Sequence, residues 1–137
     1  MSSITRISIS LASDVLEKFD ALSKEQGFPT RSEAITHLIH SSLVQQQWAD
    51  GKVVAGAITL IYDHHKSQIL QKIVDVQHDF GNLVICSQHA HLDRHNCMEN
   101  IIVRGEMRQI QKLHQGLSAV KGMKHAVLSM TTTGKDL

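Results

Sequence analysis

The chain has 137 residues and a mass of 15.3 kDa, enough for one ordinary domain or two small ones, and its 42% hydrophobic content allows a packed core. No apolar run approaches the roughly 20 residues that a membrane span needs. The formal net charge is +1, and the first 48 residues carry four Lys or Arg against five Asp or Glu, so overall charge gives no support for nucleic-acid binding.

The N-terminal segment predicts one strand followed by two helices. Apolar and polar side chains alternate over "ITRISISLAS", which is the period of a half-buried strand. A stretch with apolar residues three and four apart follows and ends at Gly27, as expected for a helix. The sequence "TRSE" then predicts the start of a second helix, with Thr30 and Glu33 as a capping box.

One strand and two helices in about 45 residues are too few to enclose a hydrophobic core. A strand without a partner in its own segment leaves backbone donors and acceptors unpaired, so we expect it to pair with its copy in a second chain. The N-terminal pattern therefore predicts a dimer.

A polar stretch, "QQQWADGK", follows and is suited to a linker, so we divide the chain into residues 1–47 and residues 48–137. The second segment predicts six elements, namely a strand over residues 53–62, a helix over 65–77, strands over 82–91 and 97–105, a helix over 105–122 and a strand over 125–130. The order βαββαβ is that of ferredoxin-like domains. The predicted fold class is α+β.

Two histidines and a cysteine stand at the ends of two neighbouring predicted strands. His89 and His91 are two residues apart, so both side chains leave the same face, with Cβ atoms about 7 Å apart. Cys97 begins the returning strand after the short connection "LDRHN", which places it beside the pair. The three side chains can therefore converge on a transition metal, and Zn²⁺, Ni²⁺ and Cu²⁺ all accept such donors.

His78 is a fourth candidate ligand, at the end of the preceding helix. The strand from Leu83 to His89 spans about 20 Å at roughly 3.3 Å per residue, so His78 of the same chain should lie at the opposite end of the strand. If His78 binds the metal, it comes most simply from a neighbouring subunit. The metal would then join two chains.

Nearly the whole chain resembles the nickel-responsive transcriptional regulators, which combine a ribbon-helix-helix DNA-binding domain with a nickel-binding domain of the ACT type. The motifs that carry the resemblance are "TRISISL", "TRSEAI", "YDHHK", "VQH" and "HAH" followed by Cys97. The resemblance implies Ni²⁺ as cofactor, one per subunit, with three ligands from one subunit and one from another in a homotetramer. It also implies operator DNA as partner and control of nickel uptake or nickel-related genes, and no enzymatic activity.

Other side chains near the metal ligands are expected to support the site or to lie at the surface. The candidates for support are Tyr62, His64 and Glu99. Glu99 could accept a hydrogen bond from a ligating imidazole, although a solvated carboxylate fits its strand position equally well. We expect His65 and His95 at the surface or beside the ligands, and Cys86 in the core.

The polar face of a two-stranded antiparallel ribbon fits the major groove of DNA. The residues on that face are Arg6, Ser8 and Ser10. An arginine can pair with guanine through two hydrogen bonds, and serines can donate or accept. The start of the second helix offers free backbone N–H groups to a phosphate, and the residues there are Thr30, Arg31 and Ser32.

Resembling proteins also have a cation site between the two domains, built from carboxylates of the second helix. Glu33 matches one of these carboxylates, but His37 stands in the place of the other. The donor set is therefore incomplete, and a titratable imidazole could instead make this contact sensitive to pH.

Three alternative functions stay open on the sequence. A regulator of the same fold could sense another metal or a small effector. A metallohydrolase would keep an open position for activated water, but no base is paired with the cluster and a fourth histidine would close the site. An antitoxin that wraps a toxin would usually have a shorter, disordered second segment. The N-terminus lacks the apolar stretch of a secretory signal, so a cytoplasmic protein is expected.

Overall fold

The computed structural model describes residues 3–137. The chain divides into two compact units, the first ending at Ser41 and the second running from Ser42 to Leu137. The division falls inside a helix, several residues before the boundary expected between residues 47 and 48.

The first unit contains helix α1 (Ser13–Glu25) and the beginning of helix α2 (Arg31–Ala49). Gly27 ends α1 in a left-handed backbone conformation, with φ of 79°, which glycine adopts without steric cost. At the start of α2 the Glu33 N–H donates to the Thr30 hydroxyl at 3.2 Å. The predicted cap of the second helix is therefore confirmed.

The apolar face of the first unit is uncovered within one chain. Residues 3–12 are neither helix nor strand, and their apolar side chains are exposed, with Ile7 at 72%. On α2, Leu38 and Ile39 are half-exposed, whereas Ala34 is buried. Because folded proteins rarely leave a large apolar surface exposed, the uncovered face agrees with the expected second chain, and the pairing of the N-terminal strand stays a prediction.

Helix α2 continues through the stretch that was expected to be a polar linker. Trp48 is buried in the second unit, and its indole N–H donates to the Thr131 carbonyl at 2.8 Å. The Gln47 side-chain amide donates to the Lys135 carbonyl at 3.1 Å. The linker interpretation is wrong for residues 45–49, because the indole gains both burial and a hydrogen bond when the helix continues.

The second unit is a four-stranded antiparallel sheet with two helices. Its elements are β1 (Val53–Tyr62), α3 (Ile69–Asp79), β2 (Val84–His91), β3 (Cys97–Glu106), α4 (Met107–Ser118) and β4 (Met123–Thr131). This order confirms the predicted βαββαβ arrangement and the α+β class, and the strands lie in the order β2-β3-β1-β4.

One face of the sheet is covered by the helices, and the other face is open. Alternate residues of the central strand β1 are buried from Val54 to Tyr62 against a core that includes Ile110 and Leu113 of α4. The open face carries Val127, at 42% exposure, and the exposed Cys86. The expectation that Cys86 packs in the core is wrong, because its side chain is exposed on the side of the sheet opposite to the helices. No helix within residues 3–137 is long and apolar enough to cross a membrane.

Candidate metal centre and DNA-binding residues

The β2–β3 hairpin sets two histidines beside the buried cysteine. In its register His91 pairs with Cys97, and His89 pairs with Glu99. The connection over residues 92–96 closes with a backbone hydrogen bond of 2.8 Å between its ends. The spacing of the two histidines along one strand therefore places both on the same face as the cysteine, as the sequence predicted.

A buried thiol between two imidazoles forms the centre of this cluster. Cys97 is 0% exposed, and its Sγ lies 2.8 Å from Nδ1 of His64 and 3.3 Å from Nδ1 of His91. The three donor atoms lie within 4.8 Å of one another. Burial lowers the pKa of His64, and the imidazoles of His65 and His91 lower it further, so a neutral ring with a free lone pair is favoured.

His64 stands closer to the thiol than the sequence suggested. It was expected to support the ligands, whereas in the single chain its ring nitrogen contacts the sulfur directly. The sheet register could have located His64, since Tyr62 at the end of β1 pairs with Cys97 and His64 follows two residues later.

His89 lies next to this cluster and has a different partner. Its ring centroid is 5.1 Å from that of His91, and its Nδ1 is 3.2 Å from the Tyr62 hydroxyl oxygen. The hydroxyl has one hydrogen, which it donates to the Glu99 carboxylate at 2.9 Å. His89 Nδ1–H must therefore be the donor to Tyr62, which leaves the lone pair of Nε2 free for a metal.

Glu99 is the buried acceptor of a hydrogen-bond network that also includes a residue of α3. The Gln77 side-chain amide donates to Oε1 of Glu99 at 3.0 Å, while Tyr62 donates to Oε2. Burial raises the pKa of the Tyr62 hydroxyl, and the Glu99 carboxylate raises it further, so Tyr62 remains a donor. The sequence left open a carboxylate that accepts from a ligating imidazole and a solvated carboxylate; in the single chain Glu99 is buried, and the side chains of Tyr62 and Gln77 donate to it. Gln77 was missed, and its position directly before His78 was the available signal.

His78 lies apart from the other candidate ligands of its own chain. It lines a surface hollow of about 310 Å³ with residues 79–83 and Gln109. Among the residues described, the groups that could hold a metal are His64, His91 and Cys97, and a second group of Asp63, His65 and His95. The position of His78 agrees with the expectation that the same chain cannot bring it to His89.

Helix α2 begins with a capped N-terminus, and one of its candidate DNA-binding residues, Arg31, is already paired with a carboxylate. The Arg31 guanidinium makes two hydrogen bonds, of 2.8 and 2.7 Å, to the Asp20 carboxylate of α1. This pairing lowers the pKa of Asp20 and raises the pKa of Arg31. Thr30 serves as the cap, and Ser32 is exposed. A phosphate contact by Arg31 would therefore compete with Asp20.

The other residues of the first unit that were predicted to bind DNA lie at its surface. Arg6, Ser8 and Ser10 are all exposed. Glu33 accepts a hydrogen bond from the Thr30 hydroxyl at 3.2 Å, and the His37 ring packs against Phe28 with centroids 5.1 Å apart. Both residues that were considered for a cation site thus have partners within their own unit.

Family models match both segments of the chain. The model described as the NikR C terminal nickel binding domain matches residues 55–131. The model described as ribbon-helix-helix protein, copG family, matches residues 5–46. The two matches together span most of the sequence and follow the predicted order of the domains.

Relatives of known name match over the full length. The chain is 48% identical to a protein named as a nickel-responsive regulator of Nitratidesulfovibrio vulgaris strain Miyazaki F, over 100% of this chain and 99% of the relative. It is 42% identical to a protein of the same name from Pyrococcus furiosus, over 98% of each. A solved structure of an uncharacterized protein from Thermotoga maritima covers 56% of this chain at a TM-score of 0.50 and 10% identity, and 98% of its own chain, which bears on the fold alone. The chain belongs to the family of nickel-responsive regulators.

Proposed function

We propose that this chain is a nickel-responsive, DNA-binding transcription regulator that holds one Ni²⁺ per subunit through His89, His91 and Cys97, with His78 of the partner subunit as fourth ligand. The observation that carries the proposal is the buried Cys97 thiol, whose sulfur lies 3.3 Å from Nδ1 of His91 and on the same face of the β2–β3 hairpin as His89. Its family is one of transcription regulators, so the activity is regulation and not catalysis, and the metallohydrolase reading is set aside.

The donor set fits nickel chemically. Imidazole and thiolate donors suit Ni²⁺, and they bind Cu²⁺ at least as tightly, so selectivity must come from geometry and metal supply. The free Nε2 of His89 offers a lone pair without loss of a proton from that ring nitrogen. When bound, nickel would supply bonds that tie the hairpin to neighbouring elements.

His64 and His78 are alternative candidates for the fourth ligand of the metal. In the single chain His64 already contacts the thiol, whereas His78 lies on another part of the surface. We propose that His78 of the partner subunit takes this position in the assembled protein and that His64 then moves aside. Separate variants of the two histidines distinguish these arrangements.

Two uncovered surfaces support a homotetramer made of two dimers. The apolar side chains of the first unit, including Ile7 and Leu38, need a cover that one chain does not provide. The open face of the sheet in the second unit needs a cover as well, and β2 is an edge strand whose residues are mostly exposed. One surface would form the ribbon dimer, and the other would join the metal-binding units.

The DNA contacts follow from the ribbon. Paired with its copy, the N-terminal strand would present Arg6, Ser8 and Ser10 to base edges in the major groove of operator DNA. The backbone N–H groups at the start of α2, together with Thr30 and Ser32, would bind a phosphate, and Arg31 would contribute after release from Asp20. A cytoplasmic location belongs to the same proposal, because the operator lies there.

Regulation requires that nickel binds the DNA-competent state more tightly than the other state, and DNA must then tighten nickel binding by the same factor. The network that joins Gln77 of α3 to Glu99 and Tyr62 offers a physical link between His89 and the helix that carries His78. Through it, the metal would order α3 and the loop before it. The regulated genes would be those of nickel uptake or nickel-containing proteins.

A Ni²⁺ titration of the metal-free full-length protein, followed by absorption spectroscopy, tests the proposal. We expect a thiolate-to-nickel charge-transfer band that saturates at one nickel per chain, disappears in Cys97→Ala, and weakens in His78→Ala more than in His64→Ala. His125→Ala is the matched control, because His125 is exposed on β4 and belongs to neither donor group.

Three results of metal titrations would contradict the proposal. A band that survives in Cys97→Ala would remove the thiolate from the site. A band that is lost in His64→Ala and unchanged in His78→Ala would make the site one of a single subunit. If Zn²⁺ or Cu²⁺ binds but Ni²⁺ gives no band, the fold remains and the sensed metal is another one.

A further inference from the structure

We infer that the second unit holds a binding site for a small phosphate-bearing anion, in a surface hollow lined by none of the metal-cluster residues. The hollow has a volume of about 640 Å³, within the range of cavities that bind small molecules. Four parts of the chain line it, namely the end of α2, the start of β1, the end of β3 and the C-terminal segment after β4.

The lining of the hollow carries an excess of positive charge. Three of its side chains are cationic and one is a carboxylate, which leaves a formal charge of +2, and these residues are Lys52, Arg104, Lys135 and Asp136. Within residues 3–137, no ion pair involves any of these four side chains. Three cations that share one hollow repel one another, so a bound dianion would be attracted by all three.

Backbone and amide hydrogen bonds fix the walls of the hollow. The Lys52 carbonyl accepts from the first N–H of α4 at 3.3 Å, and the Arg104 N–H donates to the Leu83 carbonyl at 2.9 Å. The Gln47 side-chain amide holds the C-terminal segment through the Lys135 carbonyl at 3.1 Å. The three cationic side chains are exposed, so their charged ends can turn onto a ligand while the backbone stays in place.

The side chains of the lining set the class of ligand. A guanidinium presents a planar fork of N–H donors that matches two oxygens of a phosphate, and lysine ammonium groups add point charges. The amide nitrogen of Gln47 is the atom that holds the C-terminal segment, so its Oε1 can accept from a ligand hydroxyl, as can the Thr133 hydroxyl oxygen.

The hollow suits a sugar phosphate better than a nucleotide. Val53 is the apolar residue of the lining, and no aromatic ring of residues 3–137 lines the hollow to stack on a base. A phosphate with hydroxyl groups beside it therefore matches the cations, the amide oxygen and the hydroxyl. A phosphate of the DNA backbone has the same charged group, and the experiment below separates the two sources.

Isothermal titration calorimetry of the full-length, metal-free protein with ribose 5-phosphate tests this inference. Ribose is the neutral control ligand. Arg108→Gln is the matched control variant, because Arg108 is exposed on α4 and does not line the hollow. We expect ribose 5-phosphate to bind the wild-type and Arg108→Gln proteins equally and ribose to bind neither. Arg104→Gln should weaken binding by about 10-fold to 100-fold, since it removes hydrogen bonds to a charged group.

Three outcomes would overturn the inference. The first is no binding heat and no rise in the unfolding temperature of the wild-type protein at millimolar ribose 5-phosphate. The second is an equal loss of binding in Arg104→Gln and Arg108→Gln, which would assign binding to net charge. The third is an Arg104→Gln protein that keeps its affinity for ribose 5-phosphate but loses affinity for duplex DNA of random sequence. Because the protein is metal-free in these titrations, failure of the nickel site leaves the result intact.

Discussion

The substitution Tyr62→Phe isolates the role of the hydrogen-bond network beside the metal ligands. Phenylalanine keeps the fully buried ring and removes only the hydroxyl oxygen. That oxygen donates to Glu99 at 2.9 Å and contacts Nδ1 of His89 at 3.2 Å. The variant therefore leaves Gln77 as the remaining side-chain donor to Glu99 and deprives the His89 ring of the partner that fixes its tautomer.

The expected loss of nickel affinity follows from these two contacts. Removing the group that orients a ligating imidazole typically weakens metal binding by about 10-fold to 100-fold. This range corresponds to about 1.4–2.7 kcal/mol, comparable with the roughly 1.5–3 kcal/mol of a hydrogen bond to a charged group. The charge-transfer band should persist, because Cys97 and His91 are unchanged.

Competition of the protein with a chelator for Ni²⁺ measures this affinity. Thr59→Val is the matched control, since it removes the Thr59–Asn100 hydrogen bond of 3.1 Å in the same sheet and away from the metal cluster. Equal nickel affinity in Tyr62→Phe and the wild-type protein would refute the reasoning. Equal losses in Tyr62→Phe and Thr59→Val would assign the effect to general destabilisation of the sheet.

Three further predictions concern the fold. In Gly56→Ala the new Cβ would lie 2.8 Å from the Ser129 carbonyl oxygen, so we expect urea unfolding to show a loss of about 1–3 kcal/mol, and an unchanged midpoint would contradict the packing. Arg31 lowers the pKa of Asp20 in the folded protein, so their pair adds stability above the unfolded-state pKa, and this stability is lost as pH falls through the lower folded-state pKa. The free energies of unfolding of the wild-type and Asp20→Asn proteins should therefore differ at pH 7 and converge below about pH 4. A difference that stays constant with pH would refute the assignment. Trp48 is the single tryptophan, and its fluorescence should be blue-shifted as for a buried indole, whereas the emission of a solvated indole would restore the linker interpretation.

The second unit was predictable because its apolar pattern and its topology agree. The buried strand β1, the hairpin that pairs His91 with Cys97 and the order of the elements all follow from periodicity and short connections. The polar composition of "QQQWADGK" led to a wrong linker prediction for residues 45–49, because the burial of one Trp outweighs the composition of the stretch around it.

The details of the metal cluster were less predictable, since they depend on which side chains meet across the sheet. His64 and Gln77 lie on different elements from Cys97, and their contacts require the β1–β3 register and the packing of α3. Cys86 was misplaced because strand alternation gives two faces and does not say which one the chain leaves open. The predicted pairing of the N-terminal strand and the predicted role of His78 both concern contacts between chains. The sequence of one chain suggests such contacts but does not test them.

The most direct test of the account is the affinity of the full-length protein for duplex DNA with and without Ni²⁺, using duplexes selected from a random pool by the nickel-loaded protein. We predict that Ni²⁺ strengthens binding of the wild-type protein at fixed salt and leaves Cys97→Ala unaffected. Equal DNA affinity of the wild-type protein in the presence and absence of Ni²⁺ would contradict the claim that the His/Cys cluster controls DNA binding.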